Sequence, residues 1–194
     1  SKRMTEYISK KLNLDLKKAK ELQTNYFHKY NTSLNGLMIH HDINPEEFLE
    51  YVHNIDLSFM KKDLILRNEL EKLNLKKFIF TNGSKKHANN ITKHLGVNNQ
   101  FDGLFDIVDA EFSPKPTAKA FDLMIKKFKI NPRETLYIED IAKNLSIGKE
   151  RGAITAWLIN DEYWGKKESD KEFIDYKIEN LSLFLKEIRL LQNS

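Results

Sequence analysis

Apolar positions in the first quarter of the chain recur at helical spacing. Tyr7, Ile8, Leu12 and Leu14 make one stripe, and Ala19, Leu22, Tyr26 and Tyr30 make another at steps of three and four. Asn44-Pro45-Glu46-Glu47 opens a further helix: Asn as N-cap, Pro in the first turn, then two acids favoured by the helix dipole. Phe48, Leu49 and Val52 form its inward face. The stretch from Met4 to about Asn54 is therefore helix after helix. A bundle of only about 50 residues makes a poor independent core, so it should lean on another layer.

From Leu64 the pattern changes. A helix through Leu66, Leu70 and Leu73 leads to a short apolar strand at Phe78–Phe80, then a helix through His87, Ile91 and Leu95 stops at Gly96. A strand near Phe105-Asp106-Ile107-Val108 follows, then a helix from about Thr117 to Phe128 and a strand from Thr135 to Ile138. A helix through Leu145 and Ile147 stops near Gly152, and Ile154 to Ile159 makes another strand. Asp175 to Ile178 forms a last short strand before a C-terminal helix through Leu183, Phe184 and Ile188. Short strands alternating with helices define an α/β fold, a mostly parallel Rossmann-like sheet with helices on both faces. The expected organisation is a small all-helical unit over residues 1–60 and an α/β core over 61–194. Ligands in such sheets bind at the carboxyl ends of the strands, where Thr81 and Asp140 fall.

Composition adds exclusions. The 194 residues hold one full-sized core, or a core plus a small appended unit. Net charge is +4, but 28 acidic residues are mixed among 32 basic ones, only five of them Arg, the residue most used for base and phosphate forks. The basic balance thus reads as a solvated face rather than a surface for a nucleic-acid polymer. Without cysteine there is neither a disulfide framework nor a thiolate metal site. No apolar run approaches the ~18 residues that span a bilayer, and no signal peptide is visible, so no membrane partner is expected and the cytoplasm is the default location.

Three segments carry chemistry. Phe78–Phe80 ends on Thr81-Asn82-Gly83, and Ser84 then opens a helix. A strand-to-helix junction of this kind turns a hydroxyl and successive backbone N–H groups toward one point, a phosphate cradle. Asn-Gly is also a common turn dipeptide, so position is what recommends it. Lys115 lies between Pro114 and Pro116, which restrict the backbone on both sides and would hold the cation in place. Glu139-Asp140 closes the third apolar strand with two adjacent carboxylates that repel each other and call for a counter-cation. Magnesium, an oxygen-seeking ion that uses one or two carboxylates plus phosphate and water, suits them. Acids at a helix N-terminus would be the bland alternative.

Hydroxyl, lysine and acid pair, in this order on an α/β background, resemble the haloacid dehalogenase (HAD) superfamily. Within it, the stretch from Met4 to about Asn160 resembles the pyrimidine 5′-nucleotidase branch. The matching pieces include Met4-Thr5-Glu6-Tyr7, His28-Lys29-Tyr30, His40-His41-Asp42-Ile43, Tyr51-Val52-His53, Phe80-Thr81-Asn82-Gly83-Ser84, Pro114-Lys115-Pro116, and Glu139-Asp140 with Asn144. The resemblance implies a Rossmann-like core with a helical cap, and a magnesium-dependent phosphomonoesterase acting on a small phosphorylated metabolite, a pyrimidine nucleoside 5′-monophosphate foremost. It gives Thr81, Asn82 and Gly83 the substrate phosphate. Lys115 would steady phosphate and nucleophile, Asp140 with Glu139 would hold Mg2+, and Asn144 would support that loop.

The family's nucleophile and general acid/base are two aspartates on a first strand that would precede Ser1; this chain has no counterpart. That strand is central in the fold, and its loss would leave buried backbone groups unpaired. The chain is therefore expected to be a stretch of a longer enzyme rather than an evolved pseudoenzyme. Two rivals stand beside the phosphatase: a non-catalytic phosphate- or nucleotide-binding protein, and a dehalogenase, which would have no use for the acid pair. The six histidines lack the four-residue helical spacing of a zinc pair. His40 and His41 are expected at the surface or as capping residues, with a place near substrate as the alternative.

Overall fold

The computed structural model describes residues 2–192. Four helices come first: α1 (Lys2–Leu12), α2 (Leu16–Tyr30), α3 (Ser33–His40) and α4 (Pro45–His53). Three of their starts have visible causes. Asp15, Thr32 and Asn44 are extended, and their side chains accept N–H groups of Lys18, of Asn35, and of both Glu46 and Glu47, filling donors a helix leaves open. The apolar stripes meet in one cluster built on Tyr7, Ile8, Ala19, Leu34, Leu37, Phe48, Leu49 and Val52. Gly36 lets α3 close on α2, because a Cβ there would lie 2.4 Å from the Tyr26 ring. Ile107 completes this cluster and Phe112 packs against it. Both come from the other part of the molecule, so the bundle does lean on a neighbour.

The remainder alternates α5 (Leu64–Lys72), β1 (Phe78–Phe80), α6 (Lys85–Leu95), β2 (Gly103–Phe105), α7 (Ala118–Phe128), β3 (Leu136–Glu139), α8 (Ser146–Glu150), β4 (Ile154–Leu158), α9 (Tyr163–Lys166), β5 (Tyr176–Ile178) and α10 (Leu181–Gln192). All strand pairs are parallel. Phe78 faces Gly103 and Phe80 faces Phe105; Leu136 faces Ile154 and Ala156 faces Tyr176. One cluster, with Phe105, Phe121, Met124, Tyr137, Leu145 and Trp157, fills one side. A second, with Leu70, Leu73, Val97 and Leu185, seats α5 and α10. The architecture is the expected α/β fold with a helical cap.

Three details differ from the sequence reading. The sheet is in two pieces, β1-β2 and β3-β4-β5, and no pairing among the described residues joins β1 to β3. Side chains cross that seam instead: the rings of Phe80 and Tyr137 stack at 6.2 Å. Next, β2 stops at Phe105 rather than running to Val108, because Asp106 Oδ1 accepts the N–H groups of Val108 and Asp109 at 3.1 and 2.9 Å and turns the chain. Finally, α9 is a single helical turn that no apolar periodicity announces. Among the described residues, no helix is long and apolar enough to cross a membrane.

Candidate active site

β1 delivers Thr81 to the sheet edge, and Thr81 N–H continues the ladder to Phe105 O at 3.0 Å. Thr81 Oγ1 accepts the Gly83 N–H at 2.9 Å. The hydroxyl proton of Thr81 is left to donate, while the Gly83 N–H is turned inward. Ser84 is extended and caps α6, its Oγ accepting His87 N–H at 3.3 Å. The N–H groups of Asn82 and Ser84 make no hydrogen bond to a described residue, so both remain open to an acceptor from outside. The Asn82 side chain points elsewhere, and its Oδ1 accepts Lys115 N–H at 2.8 Å.

Sequence reasoning passed over Asp106, which holds this junction in shape. The residue is buried, and besides turning the chain after β2 its Oδ2 accepts Lys85 N–H at 2.7 Å at the start of α6. The available signal was an acid closing the short apolar strand beside β1.

Lys115 is only 5% exposed, a burial that an ammonium tolerates only with partners. Its Nζ donates to Phe80 O at 2.8 Å, pairs with Glu139 Oε1 at 3.0 Å, and lies 5.0 Å from the centre of the Phe80 ring. One cation thus ties the last residue of β1 to the last residue of β3, across the seam between the sheet pieces. Since Lys115 also bonds Asn82, it touches residues on both sides of Thr81.

Glu139 is nearly as enclosed, and its Oε1 is shared between Lys115 and the amide of buried Asn144. Asp140 differs. The residue is exposed overall, and its backbone carbonyl is pinned by Trp157 Nε1 at 3.1 Å and Asn160 Nδ2 at 2.7 Å. Surrounding protein still desolvates its carboxyl, and that burial, followed by the charge of Glu139, raises its pKa above the ordinary value; Lys115 opposes the rise. An acid held this way gains from a hard cation. Among the described residues no three acidic or histidine side chains converge. The protein would supply Asp140 and the other oxygen of Glu139, leaving the rest of a magnesium shell to water and phosphate oxygens, a sharing that ion favours. The donor set fits.

Of the histidines, His40 and His41 are held within the cap. The Tyr26 ring stacks on His40 at 5.4 Å and its hydroxyl meets His41 Nε2 at 2.8 Å. The histidine at this strand-to-helix junction is His53, to which the sequence reading gave no role of its own. As the last residue of α4 it brings Nδ1 within 3.0 Å of Ser84 Oγ, and its ring stacks on His87 at 4.1 Å with planes 6° apart. Burial, then the neighbouring His87, lowers its pKa from 6.5 to about 4; burial lowers that of His87 as well.

Because the folded pKa of His53 lies below the unfolded one, acidification protonates the unfolded chain first. The stability tied to a neutral His53 is complete above about pH 6.5 and is lost as pH falls toward 4. Allowing for partial exposure of the ring, the loss should be about 2 kcal/mol. Urea melts at pH 7, 5.5 and 4 should show it in the native protein and not in His53→Asn. Parallel pH curves for the two would contradict it.

Above Asn144, a small cavity between α2 and the loop after β3 is lined by Phe27, His28, Asn31, Lys143 and Trp164 among others. Lys143 Nζ crosses it to Asn31 Oδ1 at 3.0 Å. The cap therefore overhangs the end of the sheet where Thr81, Lys115, Glu139, Asp140 and Asn144 gather.

Residues 15–152 match the family of haloacid dehalogenase-like hydrolases. The chain belongs to that family. Phosphate metabolism protein 8 of Saccharomyces cerevisiae is 31% identical over 136 residues, 61% of this chain and 42% of that protein. A D-ribitol-5-phosphate phosphatase of Bacteroides thetaiotaomicron is 42% identical over 50 residues, 26% of this chain and 24% of that one. The chain thus spans less than half the length of the curated relatives it matches. In fold it is similar to a HAD phosphatase from Thermococcus onnurineus, with a TM-score of 0.59 at 18% identity over 97% of this chain and 86% of that one. An L-2-haloacid dehalogenase from Xanthobacter autotrophicus gives 0.55 at 15% identity, over 95% and 86%.

Proposed function

We propose that this chain carries a helical cap and α/β core residues of a magnesium-dependent phosphomonoesterase whose substrate is a small phosphorylated metabolite, foremost a pyrimidine nucleoside 5′-monophosphate. The observation that carries the reading is Lys115, buried beside Thr81 and bonded to both Phe80 O and Glu139. A fixed cation beside a hydroxyl and free N–H groups suits a tetrahedral dianion. Residues 1–60 form the cap in this reading and 61–194 the core, with α5 opening the core because it packs with α10 in its own cluster.

The residues then divide the chemistry among them. Thr81 Oγ1 and the N–H groups of Asn82 and Ser84 bind phosphate oxygens. Lys115 offsets their charge, Glu139 keeps Lys115 aimed, and Asn144 keeps Glu139 in place. Asp140, with the outer oxygen of Glu139, would hold Mg2+, which when bound supplies further positive charge at the phosphate. The covalent step, transfer of the phosphoryl group to an aspartate and its hydrolysis, belongs to the two aspartates of the family's first strand, which have no counterpart among residues 1–194.

The test compares residues 1–194 with the same chain preceded by an opening strand that bears the two aspartates, on a panel of mononucleotides and sugar phosphates with magnesium. The extended protein should release phosphate from pyrimidine 5′-monophosphates at least about a thousandfold faster than the bare chain. Equal turnover by both would remove the aspartyl-phosphate step. Phosphate binding without turnover in the extended protein would favour a non-catalytic binding protein.

A further inference from the structure

We propose that His53 is itself a ligand-binding residue: from the last turn of the cap it donates a hydrogen bond, through Nε2, to the oxyanion held by Thr81 and the N–H groups after it. This rests on the phosphate-cradle reading and extends that site from the core into the cap.

Position is the first argument. A carbon built as the Cβ of Gly83 would lie 3.3 Å from Thr81 Oγ1 and 3.6 Å from His53 Nε2. The space beside Gly83 is therefore bordered by the Thr81 hydroxyl and by a cap imidazole, whose polar atoms are within about 7 Å of each other. One tetrahedral oxyanion can bridge such a gap with a hydrogen bond at each end. Nε2 makes no hydrogen bond to any described residue, so its bonding capacity is uncommitted.

The second argument is where the proton sits. Ser84 Oγ already accepts the His87 N–H, and its own proton is free to go to His53 Nδ1, 3.0 Å away. We assign Nδ1 as the acceptor of that proton, which leaves the proton of a neutral ring on Nε2. The ring is neutral at pH 7, since burial and the parallel His87 ring 4.1 Å away both oppose a charge on it. Stacking also fixes the ring plane, so the Nε2–H is aimed before ligand arrives. Cation chemistry is already provided by Lys115; His53 adds a directed neutral donor.

The consequence is mechanical. His53 ends α4, and α5 begins only at Leu64, so His53 stands where the cap joins the core. A bond from it to the bound oxyanion ties cap to ligand and favours a tetrahedral group, with an oxygen to spare for the cap, over a halide.

The test uses the full chain, labelled with 15N, and sulfate as the probe, at pH 7 with magnesium present. Long-range 1H–15N spectra should show His53 protonated at Nε2 before sulfate. On titration the Nε2 signal and the Thr81 amide should move together along one saturation curve, with His94 unmoved. Two variants separate donation from support. His53→Gln puts an amide donor where Nε2 was and should keep sulfate affinity within about twofold, whereas His53→Asn keeps only the Ser84 bond and should bind roughly tenfold more weakly. Movement of Thr81 without Nε2 would overturn the proposal. So would normal affinity in His53→Asn with loss in His53→Gln. Silence at both Thr81 and His53 would bring down the cradle reading with it.

Discussion

Lys115→Met should cost both stability and turnover, and the two losses should separate in a double variant. Removing the ammonium leaves Glu139 as a carboxylate with 10% of its side chain exposed and no cation of its own, and deprives Phe80 O of its donor. Breaking a buried pair from one side typically costs about 3–5 kcal/mol, more than the pair contributes, because the surviving charge stays desolvated. Urea denaturation of Lys115→Met should show a loss of that order. Neutralising the partner as well, in Lys115→Met with Glu139→Gln, removes the stranded charge and should recover about half of it. Activity in protein bearing the nucleophile strand should stay down at least a hundredfold in both variants, since neither restores a cation beside Thr81. An undiminished stability in the single variant would show that Lys115 does not tie β1 to β3. Activity that returned along with stability would mean that its role is structural only.

Asp140→Asn should behave in the opposite way toward stability. The carboxyl is already raised in pKa by desolvation and by Glu139, so the ionised form is disfavoured where it stands. Replacing it with a neutral amide of the same shape removes that repulsion, and the melting temperature should hold or rise by a few degrees in metal-free buffer. Turnover should fall by a factor of about a hundred or more, and the magnesium concentration needed for half-maximal rate should climb, because a carboxylate ligand is gone. Unchanged activity with an unchanged magnesium titration would refute the assignment.

Local signals were strong where one short segment could satisfy its own groups. Asn44-Pro45-Glu46-Glu47 starts α4 because the Asn side chain fills the first N–H groups. Gly96 ends α6 because the backbone there turns left-handed at φ 76°. The same holds for the strand that carries Thr81, and for the acid pair, which lies at the end of β3. Strand ends were less legible. Whether a chain continues in a sheet past Phe105 depends on a competing acceptor, and Asp106 supplies one.

The chain by itself thus determined the alternation of helices and strands, the helical block before them, and three chemical segments at the carboxyl edge, since periodicity and capping are properties of neighbours in sequence. Tertiary structure alone decided which partners the groups of those segments bond. Asn82 turns its side chain to Lys115, and Glu139 spends an oxygen on Lys115 and Asn144. It also decided that His53, rather than His40 or His41, reaches the junction after β1, through contacts 31 residues away with Ser84 and with His87 beyond it. Hydrogen-bond partners and desolvation are set by whatever packing brings within about 3–4 Å, and separation along the chain carries no information about that distance.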